Sequence, residues 1–312
     1  MGTRLRNGIA AQKLAAEGHF HEKVGKPLNP PSAAADEAKV LVISYPKSGR
    51  TWLRVMMGRA LRDLIGLDEV MMFEENHIIA AEGMLPTLFT HDGSSNTEGR
   101  PWQDLDTDKS RYHGKKVVYL TRDPRDVVVS CYFQATRRKS LFHGTISEFI
   151  RSDKYGIRKI VAFNRIWHAA RNVPEAFLLV RYEDLHVAPG PLLRRILEFM
   201  DVSRIEDATL HRAIEFASFS NMKKVEREGK FENKKLRPGK SGDEESFKVR
   251  KGKVAGYVDY LDPDDRGFVD RVMRELDDPY WPASRGSEPR PAGPPPDRAS
   301  RSASCGRSTQ PA

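Results

Sequence analysis

Between residues 37 and 282, short apolar runs alternate with longer segments of helical spacing, and that alternation restricts the chain to few architectures. Val40 to Ser44, Thr87 to Thr90, Lys116 to Thr121 and Phe177 to Tyr182 read as strands buried on both faces. Such strands need helices over both sides, so the pattern predicts an α/β fold with a central parallel sheet flanked by helices. After the first run, Leu53, Met56, Met57, Ala60, Leu61 and Leu64 follow helical spacing and Gly66 supplies a stop. The third run leads into Asp123-Pro124, a helix cap followed by a residue suited to the first turn, and then Val127, Val128, Cys131 and Tyr132. Further helices are predicted by the capping pair Thr145 and Glu148, by Ile157, Ile160, Val161 and Ile166, and by Phe268, Val269, Val272, Met273 and Leu276.

The flanks differ from this centre. Residues 1–36 lack sustained apolar periodicity and read as a loosely attached arm, while 283–312 are rich in Pro, Arg, Ser and Gly and cannot bury enough surface to offset their ordering entropy. The predicted domain is therefore 37–282. Inside it, Lys223 to Ser246 is charged and poor in apolar residues, a structureless loop by pattern and a lid by function. Basic residues exceed acidic ones by 52 − 43 = 9, which suits phosphate-bearing small molecules, polyanions or acidic surfaces as partners. Two cysteines, Cys131 and Cys305, cannot build a disulfide framework or a thiolate metal site, and a reducing cytoplasmic setting fits them. No apolar run approaches the length of a membrane span, so the chain reads as soluble, without a transmembrane segment.

Two strand-to-helix turns carry the chemistry. Tyr45-Pro46-Lys47-Ser48-Gly49-Arg50-Thr51-Trp52 points backbone N–H groups and a helix N-terminus at one spot, a geometry that binds anions. Gly49 lets the backbone approach a phosphate, Lys47 adds a mobile charge, Ser48 and Thr51 add hydroxyl donors, and Trp52 offers a flat face to a base. The lysine precedes the glycine, unlike the loop of nucleotide hydrolases. In the second turn Arg122 can make paired bonds to a phosphate, and Ser130 lies about two turns into the following helix. His91 stands just beyond the second strand, on the sheet edge where such folds bind ligands.

These segments together resemble the sulfotransferases that use 3′-phosphoadenosine 5′-phosphosulfate (PAPS). The first turn is similar to the family's 5′-phosphosulfate loop, Pro-Lys-Ser-Gly-Thr-Thr-Trp, with Arg50 where many members have threonine. Arg122 and Ser130 match its 3′-phosphate site, and Arg250-Lys251-Gly252 matches the Arg-Lys-Gly segment that closes over that phosphate. Tyr182-Glu183-Asp184 and Ser218-Phe219 resemble nucleotide-facing elements, which makes Tyr182 a nucleotide contact and Phe219 a stacking partner for adenine. The family's base histidine falls at His91; a lysine that some members carry two residues earlier is Phe89 here. The resemblance implies a P-loop-like three-layer domain that moves a sulfuryl group from PAPS to a hydroxyl or amine, with His91 as base, Lys47 at the leaving group and no metal.

Two other classes use similar raw material. A nucleotide-dependent phosphotransferase would need magnesium ligands, for which no convincing set is evident, and a non-enzymatic polyanion binder would use the basic charge alone. No specific nucleic-acid partner is expected. Met71 to Met84 and Tyr132 to His143 are predicted to line the acceptor pocket, and their composition fits small molecules, glycans and lipids alike. The family's dimerisation pattern is not evident after Tyr257, where Val258 and Asp262-Pro263 replace its marker residues, so oligomeric state stays open.

Overall fold

The computed structural model describes residues 33–68, 72, 78–95, 99–228, 247 and 252–281. Helix α1 (Ala33–Glu37) precedes β1 (Val40–Ser44), and α2 (Arg50–Ile65) follows it, closed by Gly66 at φ 69. Then come β2 (Thr87–Thr90), β3 (Lys116–Thr121), α3 (Pro124–Phe133), α4 (Ile146–Arg151), α5 (Ile157–Ala169) and β4 (Ala176–Arg181). The remaining helices are α6 (Tyr182–Val187), α7 (Pro189–Phe199), α8 (Asp207–Phe216), α9 (Phe219–Arg227) and α10 (Pro263–Glu275).

The strands form one parallel sheet in the order β2-β1-β3-β4. Alternate residues of β1 face opposite layers. Val40 and Val42 pack with α2, α7 and α8, while Leu41 and Ile43 pack with α3, α5 and α10. Each fully buried Val, Leu or Ile in these layers stabilises the fold by about 1.5–3 kcal/mol, which is why a strand flanked on both sides reads as an unbroken apolar run. The predicted caps form: the Asp123 side chain accepts from the Arg125 N–H with Pro124 in the first turn, and Thr145 and Glu148 close a reciprocal capping box. No described helix is long and apolar enough to cross a membrane.

Two sequence expectations need adjustment. Strand β4 ends one residue earlier than predicted, because Tyr182 opens α6, where Glu183 and Asp184 give the acidic first turn that a helix N-terminus favours. Lys223 to Arg227, expected in a structureless loop, belong to α9, whose N-cap Ser218 accepts from the Asn221 N–H and whose Met222 is buried. The rest of the expected lid, residues 229–246, lies outside the described residues.

Strand order places the chemistry. From β1 the chain moves outward to β2, then crosses back to β3 and on to β4, so the connections leaving β1 and β3 run to opposite sides. Ligands of open α/β sheets bind in the crevice at the carboxyl ends of such a strand pair. The loop after β1 holds Lys47 and the turn after β3 holds Arg122.

Candidate active site

Left-handed backbone shapes the first loop. Lys47 has φ 72 and Gly49 φ 98, with the nearly buried Ser48 between them. Left-handed residues at such a turn are a feature of anion-binding nests; here the Ser48 N–H is bonded back to the Tyr45 carbonyl at 3.4 Å. Gly49 is also the N-cap of α2 and brings no side chain to cap the first turn, which contains no acidic residue. Arg50 and Thr51 follow, half-buried, at the positive end of the helix dipole. A Cβ on Gly49 would collide with the Tyr182 ring, so glycine is required both by φ and by that approach.

Tyr182 is the hub to which the two turns converge. Its ring lies against Gly49, the Arg122 guanidinium sits 4.3 Å from its centroid, and Trp52 meets it edge-on at 5.5 Å. Trp52 is less open to a base than its sequence position suggests, because its indole N–H donates to the Ala217 carbonyl at 2.8 Å and His186 packs on it at 4.6 Å. Burial and the Arg122 charge hold the His186 imidazole below its usual range.

Arg122 donates through Nη2 to Asp126 Oδ2 at 3.2 Å and to the Lys253 carbonyl at 3.1 Å. Among the described residues its buried Nε finds no hydrogen-bond partner. A buried guanidinium N–H without a partner there, against the same tyrosine ring that Gly49 approaches, suits an anionic ligand. Arg125, in the same motif, is spoken for: it pairs with Asp123 at 2.7 Å and Asp270 at 3.4 Å, and covers the Tyr257 ring at 4.7 Å, tying α3 to α10. Glu183 Oε1 accepts from the Asp123 N–H at 3.1 Å, and burial pushes its carboxyl up to about 7.

The late segment also reaches this place. Gly252, at φ 59, lies so close to Phe219 that a Cβ there would strike the ring, and Lys253 supplies the carbonyl bonded by Arg122. Phe219 remains 37% exposed, enough to offer a face to a planar ligand. Ser130 is half-buried on α3, one turn before Gln134. Arg250 and Lys251 lie outside the described residues, as does Met71.

His91 follows β2, and its Nδ1 lies 2.7 Å from the Ser44 carbonyl at the end of β1. A carbonyl only accepts, so Nδ1 carries the hydrogen and the neutral ring has its lone pair on Nε2. Gln134 lies within the stretch expected to line the acceptor pocket, but its contact with Lys47 was not foreseen: its Oε1 stands 3.5 Å from Lys47 Nζ, on a π-helical turn (Gln134–Arg138) that extends α3. Such turns recur at functional sites but leave no periodic signature in sequence. Phe89 is buried under the Arg54 guanidinium, 4.3 Å from its ring centroid.

The sulfotransferase domain family matches residues 108–278, more than half of the chain, spanning Arg122, Ser130, Tyr182 and Phe219. Cytosolic sulfotransferase 17 of Arabidopsis thaliana is 26% identical over 255 residues, covering 75% of this chain and 72% of that protein. Cytosolic sulfotransferase 16 of the same plant is 24% identical over 293 residues, with 85% and 81% covered. Among solved structures, mouse sulfotransferase SULT7A1 complexed with PAP aligns with a TM-score of 0.53 at 22% identity, over 78% of this chain and 85% of that one. Retinol dehydratase in a complex with retinol and PAP aligns with the same TM-score at 18% identity, over 80% and 83%. With the sulfotransferase domain matched over more than half of its length, including β3 and β4, the chain belongs to the sulfotransferase family.

Proposed function

We propose that this chain is a PAPS-dependent sulfotransferase acting in the cytosol on a hydroxyl or amine of a small-molecule, glycan or lipid acceptor, with 37–282 as its catalytic unit. The observation that carries the donor assignment is the meeting of the Lys47–Gly49 turn and Arg122 around one tyrosine ring. Relatives named as cytosolic sulfotransferases and structures named as PAP complexes support the same reading.

Bound PAPS supplies an activated sulfuryl group on a phosphate leaving group. Lys47, Ser48, Gly49, Arg50 and Thr51 hold the phosphosulfate end. Arg122 and Ser130, with Arg250, Lys251 and Gly252, hold the 3′-phosphate, while Trp52, Tyr182 and Phe219 surround the nucleoside. His91 accepts the acceptor's proton at Nε2, and Lys47 places positive charge where the leaving phosphate gains negative charge.

Arg122 gives the test specific to this reading. Arg122→Ala is expected to weaken binding of 3′-phosphoadenosine 5′-phosphate (PAP) by about 1.5–3 kcal/mol, the scale of hydrogen bonds to charged groups. Binding of adenosine 5′-phosphate should barely change, so titration calorimetry with both nucleotides isolates the 3′-phosphate. Equal losses for both would remove Arg122 from that role.

A further inference from the structure

The corner that carries His91 is braced by a buried polar cluster separate from the proposed donor site. Asp92, next in the chain, has φ 46, a left-handed conformation that Asp and Asn adopt more readily than other side-chain-bearing residues. Its side chain is 8% exposed, with Lys109 Nζ 2.8 Å from Oδ2. The Trp167 indole N–H donates to the same oxygen at 3.0 Å, and the Tyr112 hydroxyl donates to Oδ1. Lys109, itself 3% exposed, also donates to the Asp106 carbonyl at 2.6 Å. The backbone is closed as tightly: the Asp92 N–H donates to Thr90 Oγ1 at 3.0 Å, and the Ser94 N–H and hydroxyl both donate to the His91 carbonyl, at 2.9 and 2.6 Å.

A left-handed corner needs only glycine or asparagine. Burying a carboxylate and an ammonium there is costly unless every lone pair and proton is matched, and such paired charges fix a unique geometry more than they add stability. Three donors from two distant segments converge on the residue adjacent to His91, so the cluster sets where that histidine's backbone sits. Only with the backbone fixed does Nδ1 stay on the Ser44 carbonyl, which in turn keeps the lone pair on Nε2. We propose that Asp92, clamped by Lys109, Tyr112 and Trp167, is a positioning residue that holds His91 in the tautomer a general base requires. This inference rests on the base role assigned to His91.

The test reads the imidazole directly, by nitrogen NMR of the full chain labelled at histidine, with the His91 signal identified by its loss in His91→Ala. The wild type is expected to show a single Nδ1–H tautomer at neutral pH. Asp92→Asn should convert this to a mixture of tautomers while PAP, titrated in parallel, still binds as before; Tyr112→Phe should do the same to a smaller extent. Retention of the single Nδ1–H form in every variant that still binds PAP would overturn the positioning role and leave the base assignment standing. A wild-type His91 that is not Nδ1–H would instead defeat the base geometry itself.

Discussion

His91→Ala is expected to lower turnover by roughly 10² to 10⁴, the range for loss of a positioned general base. The readout is PAP released from PAPS with 2-naphthol as probe acceptor. Donor affinity should hardly move, because the proposed donor contacts are made by the loop after β1, by Arg122 and by Tyr182, while His91 is assigned only to the acceptor's proton. A phenol or alcohol attacks sulfur poorly while it keeps its proton, and Nε2 is the nitrogen of this ring able to take it. A rate equal to wild type would take His91 out of the mechanism.

Lys47→Met is expected to cost turnover about 10² to 10³, the scale for removing one preorganised stabiliser of developing charge. Methionine keeps the unbranched length and makes the same demand on the left-handed φ of 72, so the change removes the ammonium and little else. In the proposed mechanism Lys47 has no second lysine beside it from β2, because position 89 is the buried Phe89. Charge that grows only as the phosphate departs affects kcat more than donor affinity. Steady-state kinetics with varied PAPS separates the two. A loss of donor affinity as large as the loss of kcat would make Lys47 a ground-state binding residue.

The sheet was legible because burial on both faces leaves no room for polar alternation: three of its four strands begin and end where the apolar runs do, and β4 is displaced by one residue. The two strand-to-helix turns were legible as turns because Gly49 and Asp123-Pro124 mark helix starts directly after buried strands. What escaped was non-local. Lys109 and Trp167 reach Asp92 from 17 and 75 positions away, and no pattern in either segment announces a carboxylate partner. Tyr182 could be named as a nucleotide contact, yet its place against Gly49 depends on α6 starting where the strand was expected to continue. Gln134 was hidden by a π-helical turn, and the packing of His186 on Trp52 by the joining of α2 and α6, elements more than a hundred residues apart.

The most direct measurement is calorimetric titration of the full chain with PAP in the absence of magnesium, alongside ATP with magnesium. Saturable binding of PAP, with ATP binding far more weakly or not at all, is the result predicted by the left-handed turn at Lys47 and by the Arg122 N–H that has no partner among the described residues. Preference for ATP, or no binding of either nucleotide, would contradict the assignment of these residues to a PAPS site.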